Sequence, residues 1–499
     1  MPGFPNLLSV ALGVAVAFGG TVVGAVEEGT QPLEAKRRKA TEAALASAKS
    51  HTPMLRAFLQ AMPKGGDIHY HLTGGIYAEH LLDWAAEDSL CVDTETWTIL
   101  PDRASPRCPE PTRQVPADKV RANEGQASAL IDSLSIRTVA GRNPLAVHKQ
   151  FFSTFSRITY APKRLGDALA AAAGRAANQN ISYLEMMNPM GADLQSWAAS
   201  ISDARTLQAI YADLIAAGFN ERLSHTKARV MAEIEAALAR KDELLACESV
   251  DPEPGCEVVV RLQYLGLRTL PAQSSVFAGL ALGYALTEES SSPFVGINIA
   301  GPEDAPVARN NYDLHMQMLG FLWERHGPRK ISLHAGELTL DMAPPVDMRD
   351  HIRKAVFQGH ASRIGHGVSI AHEIEPIGLL SKFREADILV EINLSSNALL
   401  LGVEGPSHPF DLYRRFGVPT TLATDDEGVF RIDLTHEYQR AVETYDLSYR
   451  DLKEFATNSI RYSFLPSRQK AALLSDLKER FRNFEGHVAR GAFSRAKSR

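Results

Sequence analysis

Apolar positions along this chain gather into short runs, and the runs are separated by longer stretches in which apolar residues recur at helical spacing. Runs of β character occupy 68–72, 181–187, 258–265, 294–299, 331–334, 363–365, 388–394 and 420–423. Runs this short and this continuously apolar read as strands buried on both faces, as in parallel sheets. Helical periodicity fills most of the gaps, at 165–177, 207–217, 226–245, 311–325, 350–360, 375–385 and 409–416. Strand then helix, eight times over, predicts an α/β fold of the (β/α)8 barrel type. An open doubly wound sheet would not need eight units, and no G-x-G-x-x-G follows the first strand.

The flanks elaborate this plan. Residues 26–60 read as a helical extension, rich in Ala, Glu, Lys and Arg up to Ala48 and apolar-periodic again over 54–60, with Pro63 as its stop. The barrel domain then spans 61–499, with helices at 434–445 and 451–462 completing the outer ring and a charged helical tail after Leu474. Its widest gap, 88–145, carries Cys91, Cys108 and several prolines, and reads as an insertion between the first two strands that covers one rim.

Residues 1–25 differ from the rest. Positions 7–17 are almost wholly apolar, Val23-Gly24-Ala25 offers small side chains, and Val26-Glu27-Glu28 follows at once. This predicts a cleaved signal peptide and a secreted or periplasmic protein, although the leader lacks Lys and Arg before its apolar run. No later run of about 18 apolar residues occurs, so no stable membrane insertion is expected once the leader is gone. Cys91 with Cys108 and Cys247 with Cys256 lie close together in loop-like stretches; short local disulfides fit, with unpaired thiols as the alternative. Neither pair has nearby histidines, which argues against a cysteine zinc knuckle.

Composition narrows the partner. The chain has 499 residues, 45% of them hydrophobic, and a formal charge of -6, leaving no basic excess to neutralise a nucleic-acid backbone. A small molecule is the expected partner, and a homodimer is compatible with the sequence.

Polar residues end the predicted strands. His69 and His71 are two apart on the first, so their side chains share a face. The fifth closes with His334-Ala335-Gly336-Glu337, the sixth with Gly365-His366-Gly367, and the eighth leads into Asp425-Asp426. The C-terminal strand ends of a barrel surround one mouth, where residues far apart in sequence meet. Three imidazoles and a carboxylate suit zinc.

Six pieces resemble the adenosine deaminases, in family order and over roughly residues 55–465. They are MPKGGDIHYHLTGG at 62–75, VGINIAG at 295–301, SLHAGE at 332–337, RIGHG at 363–367, NLSSN at 393–397 and ATDDEG at 423–428. The leader and the N-terminal helical region look like the secreted, growth-factor-related branch. The resemblance implies one zinc (Zn2+) per chain held by His69, His71, His334 and Asp425. It makes Glu337 the proton donor to purine N1, puts His366 beside the attacking water, and sets Asp426 against the attacked carbon. It aligns Gly301 with the glycine whose backbone meets the purine. The implied reaction is hydrolysis of adenosine or 2'-deoxyadenosine to the 6-oxo nucleoside and ammonia.

Two departures bear on the sugar. Thr73 stands where related intracellular enzymes carry an acid used against the ribose, and Asn298 stands where an aspartate is common; both remain substrate-binding candidates. Alternatives share much of the site. Adenine or a modified or phosphorylated adenosine would use the same metal centre, and Arg363 or Lys149 are the basic residues considered for a phosphate. Two-metal barrel hydrolases usually bridge their ions with a lysine on the fourth strand, which 294–301 lacks. A non-catalytic binding protein would be expected to have lost a ligand or the proton donor. The H-x-E and P-C-x-x-C pattern of nucleic-acid-editing deaminases is absent.

Overall fold

A computed structural model describes residues 23–101, 108, 113–158 and 164–493. All eight predicted runs are parallel strands: β1 Gly65–His71, β2 Ile181–Asn188, β3 Val259–Leu267, β4 Phe294–Ala300, β5 Ser332–Ala335, β6 Arg363–His366, β7 Leu389–Ile392 and β8 Thr420–Leu422. Hydrogen bonding groups them into two arcs, β1–β4 and β5–β8. Single parallel bridges join the arcs at both seams, Tyr70 with Asp425 and Ile297 with Ile331. At the β1–β8 seam the His71 N–H donates to the Asp425 carbonyl and the Asp425 N–H to that of His69. Helices surround this ring, giving the (β/α)8 architecture.

Several helices were not anticipated, Ala78–Glu87, Ala192–Ile201, Gln273–Leu286 and Leu394–Leu401 among them. Gln273–Leu286, after β3, is buried along nearly its whole length, so apolar residues surround its axis and no amphipathic period marks it.

The N-terminal helices Val23–Ala48 and Thr52–Ala61 pack at the end of the barrel where the strands begin. Phe58 meets edge-on both Phe484 of the C-terminal helix Ser467–Ala489 and Phe493 in the turn after it, and Glu42 accepts the Tyr449 N–H. Just before β1, buried Lys64 donates to the carbonyls of Leu59, Met62 and Gln179, tying the extension to the barrel floor. The leader read at 1–25 lies outside the described residues except for its last three, which begin the helix Val23–Ala48. Among the described residues, no helix is long and apolar enough to cross a membrane.

The insertion builds a three-stranded antiparallel patch, Cys91–Asp93 between Thr98–Leu100 and Gln114–Pro116, followed by helices. It reaches the opposite end of the barrel, where the strands finish. The Ile136 N–H donates to the Val429 carbonyl, Phe151 stacks on Phe430 at 4.8 Å, and His148 pairs with Asp304 at 3.3 Å. Disulfides join Cys91 to Cys108 and Cys247 to Cys256. The second ties the end of the helix Phe219–Leu244 to the turn before β3.

Candidate metal centre and active site

Alternation along β1 turns His69 and His71 to the same side, and β5 and the turn after β8 bring His334 and Asp425 to meet them. Ligand atoms of these four residues lie within 4.8 Å of one another. The Nε2 atoms of His71 and His334 are 3.0 Å apart, and Asp425 Oδ1 lies 3.3 Å from His71 Nε2 and 3.4 Å from His69 Nε2. Asp425 has φ +64° and His366 has φ +67°, left-handed values that cost a non-glycine residue about 1–3 kcal/mol. That strain turns both side chains inward just where their strands end.

The surroundings fit a metal cation. His69 donates from Nδ1 to Glu391 at 2.6 Å, which leaves its buried Nε2 without a partner and aimed at the centre. His334 Nδ1 is 2.9 Å from Asn298 Oδ1, so its Nε2 faces the same point. Carboxylate and amide partners on the far nitrogen are how proteins orient metal-binding imidazoles. Burial opposes a charge on His69, yet Asp425 and Glu391 on either side push its pKa to about 10. The pocket therefore calls for positive charge at this spot, and three imidazole nitrogens with one carboxylate oxygen match zinc.

Around the centre stand the groups expected to act on a ligand. Glu337 and His71 keep 12% and 14% of their side chains open to solvent, whereas His69 and His366 are sealed. Burial pushes the Glu337 carboxyl well above the usual range, and the charges of Asp425 and Glu303 push the same way. Burial and adjacent Asp425 do the same to Asp426, whose Oδ1 has no partner. Gly74 makes room for it, since a Cβ there would sit 1.6 Å from Asp426 Oδ1. Gly301 follows β4 with φ +105°, and Thr73 is half-buried in the turn after β1.

Two expectations change. Asn298, taken as a substrate-binding residue, lies behind His334 and orients it. Arg363, considered for a phosphate at the mouth, is buried at the opposite end of β6. It pairs with Glu185 and Glu391 at 2.6 Å each, and its guanidinium stacks 3.7 Å from the Phe464 ring centre. Lys149 is exposed on the helix Pro144–Thr154.

Sequence reasoning missed the residues behind the site. Glu391 stands alone as a charge between apolar neighbours of β7 and links Arg363, Ser332 and His69. Glu303 accepts the backbone N–H groups of Gly336 and Glu337 and pairs with His351 at 2.6 Å, fixing the turn that carries Glu337. A charge in the middle of an apolar strand was the available sign for Glu391; Glu303 had none beyond following Gly301 closely.

Both the sequence and the fold have known counterparts. Residues 258–480 match the adenosine deaminase family. The match begins at β3 and so takes in His334, Glu337, His366, Asp425 and Asp426. The chain is similar to the adenosine deaminase of Mycobacteroides abscessus, with 30% identity over 192 residues that cover 37% of this chain and 49% of that protein. The chain thus spans about half the length of the curated relative it matches. Among solved structures it is similar to the Arabidopsis N6-mAMP deaminase, with TM-score 0.53, 21% identity and coverage of 85% of this chain and 99% of that one. It is also similar to an amidohydrolase from Burkhoderia ambifaria with bound Zn, with TM-score 0.52, 16% identity and coverage of 87% and 94%. At these identities the structural likeness speaks for the fold.

Proposed function

We propose that this protein is a zinc-dependent aminohydrolase acting on a 6-aminopurine nucleoside, adenosine or 2'-deoxyadenosine, with release of ammonia. The observation that carries the proposal is the convergence of His69, His71, His334 and Asp425 beside Glu337, His366 and Asp426 at one barrel mouth. Zinc, when bound, supplies a water acidic enough to be a nucleophile near neutral pH. The residues do the rest. An aromatic amine leaves an intact ring poorly, so Glu337, kept protonated by burial and neighbouring carboxylates, donates to N1 and opens C6 to attack. His366 and Asp426 orient the incoming oxygen, and Gly301 presents backbone to the purine. Water adds at C6, ammonia departs, and the product is the 6-oxo purine.

Burial of Arg363 among carboxylates favours an unphosphorylated substrate over a nucleotide. The leader-like first residues and the two cysteine pairs support the secreted branch of the family and an oxidising compartment.

The test is a zinc-loaded sample offered adenosine, 2'-deoxyadenosine, adenine and AMP, following aminopurine absorbance and ammonia. Turnover of the two nucleosides above the others is expected. Metal analysis should find about one zinc per chain, largely lost in His334→Ala. Two tightly held metals, or no deamination of any of the four, would overturn the proposal.

A further inference from the structure

We infer that His408 and Asn397 are positioning residues that lock His366 in the tautomer with hydrogen on Nε2, so that His366 meets the reacting centre as a hydrogen-bond donor and not as a base. The donor role rests on the deaminase reading; the tautomer follows from hydrogen bonding alone.

The chain of bonds starts at a group whose role is fixed. A backbone N–H can only donate, and that of Phe410 points at His408 Nδ1 at 3.1 Å. Nδ1 is therefore the acceptor, and a neutral imidazole with a bare Nδ1 carries its hydrogen on Nε2. That Nε2–H lies 3.0 Å from Asn397 Oδ1. The carbonyl of Asn397 is thereby oriented, and its amide nitrogen faces His366 Nδ1 at 3.0 Å. An amide NH2 only donates, so His366 Nδ1 must accept, and its hydrogen sits on Nε2. Asn393 Nδ2, 3.3 Å away, is a second donor to the same atom. Each link determines the next, so neither the imidazole tautomers nor the Asn397 orientation is free.

Burial keeps the chain intact. His366, Asn393, Asn397 and His408 are all nearly inaccessible, so water cannot substitute for a missing partner. The other end of His366 is poised: Nε2 has no partner and lies 3.9 Å from Asp425 Oδ2. The relay bears on Glu337 too. Its Oε1 lies 3.6 Å from His366 Nδ1, but that nitrogen offers a lone pair and not a proton, so the approach is no ion pair. Glu337 gains no counter-charge from His366, as a proton donor requires.

Long-range 15N–1H NMR of 15N-histidine protein tests this directly, with His366 and His408 assigned by loss of signals in His366→Gln and His408→Gln. Zinc-loaded wild-type protein without substrate should show Nε2 protonated and Nδ1 bare in both rings. Asn397→Asp places a carboxylate between the two imidazoles, which accepts from both and draws the His366 hydrogen to Nδ1. Zinc content should stay unchanged and kcat should fall about 10²-fold with little change in KM. His408→Gln, which can still accept from Phe410 and donate to Asn397, should keep the His366 tautomer and most turnover. An Nδ1–H tautomer for His366 in the wild type, or an Asn397→Asp variant with unaltered tautomer and turnover, would overturn the inference. The wild-type spectrum decides the tautomer even if Asn397→Asp fails to fold. Absence of deaminase activity would defeat the proposed function while the NMR result stood on its own.

Discussion

Replacing Arg363 with Met keeps most of the side chain's volume but removes the cation from the middle of the barrel. Arg363 meets Glu185 through Nη2 and Glu391 through Nε, donates to the Tyr462 and Ile68 carbonyls, and stacks on Phe464. The two carboxylates would keep other partners. Glu185 retains Tyr183, Gln263 and the Phe464 N–H, and Glu391 retains Ser332 and His69. These are hydrogen bonds, however, and none replaces the lost charge. Removing one partner from a buried ion pair costs about 3–5 kcal/mol. Unfolding entropy of about 2.1 cal/mol/K per residue gives roughly 1 kcal/mol/K for a chain of this length, so Tm should drop by about 3–5 °C. Glu391→Gln leaves Arg363 paired with Glu185 and should cost less. The double variant should recover part of the Arg363→Met loss, because the orphaned carboxylate is gone. Differential scanning calorimetry of the zinc-loaded proteins measures all three. A loss under about 1 kcal/mol for Arg363→Met would refute the claim that this cation neutralises the barrel core. Selective loss of AMP turnover relative to adenosine would return Arg363 to the ligand.

Glu337→Gln should hold near-normal zinc while kcat falls at least about 10²-fold, as for loss of a general acid; normal turnover would remove Glu337 from the chemistry. In Gly74→Ala the new Cβ would lie 1.6 Å from Asp426 Oδ1, so Asp426 must move by about an ångström, and kcat should fall about 10²-fold without loss of fold. Burial raises the Glu303 pKa, but His351 and Arg268 outweigh it and hold the group at about 2, below its ordinary 4.5. A depressed carboxylate stabilises the fold above the ordinary value and loses that contribution as pH falls from about 4.5 through about 2, here about 3 kcal/mol. Glu303→Gln should flatten the acid limb of Tm against pH, and an unchanged limb would count against the assignment. Protein recovered from its natural compartment should weigh four hydrogens less than the reduced chain, reflecting both disulfides, and alkylatable thiols would contradict this.

Much of the fold could be read from the sequence because the eight strands are buried on both faces and bounded by polar stops. Gln273–Leu286 escaped because a helix buried on every side has no polar face to mark its period. The residues at the centre were legible for a different reason: His69, His334 and Asp425 are polar side chains where an apolar run ends. Arg363 was misplaced because its nearness to His366 in the chain suggested nearness in space. Arg363 and His366 are the first and last residues of β6, so on this extended strand one sits at the floor and the other at the mouth. The relay through Asn397 and His408 could not be read at all, since it depends on a helix and a loop folding back onto the sixth strand.

The division of the ring into two arcs has a consequence for how the protein is made. His69 and His71 belong to the first arc, while His334 and Asp425 belong to the second, and the arcs touch at the β1–β8 seam by a single bridge. A chain still emerging from the ribosome carries the two β1 histidines long before Asp425 exists, and two imidazoles alone make a weak grip. Tight ion capture therefore waits for the last strand, and the captured ion then rivets the first-made part of the barrel to the last. Metal uptake during synthesis would serve as a timestamp of ring closure.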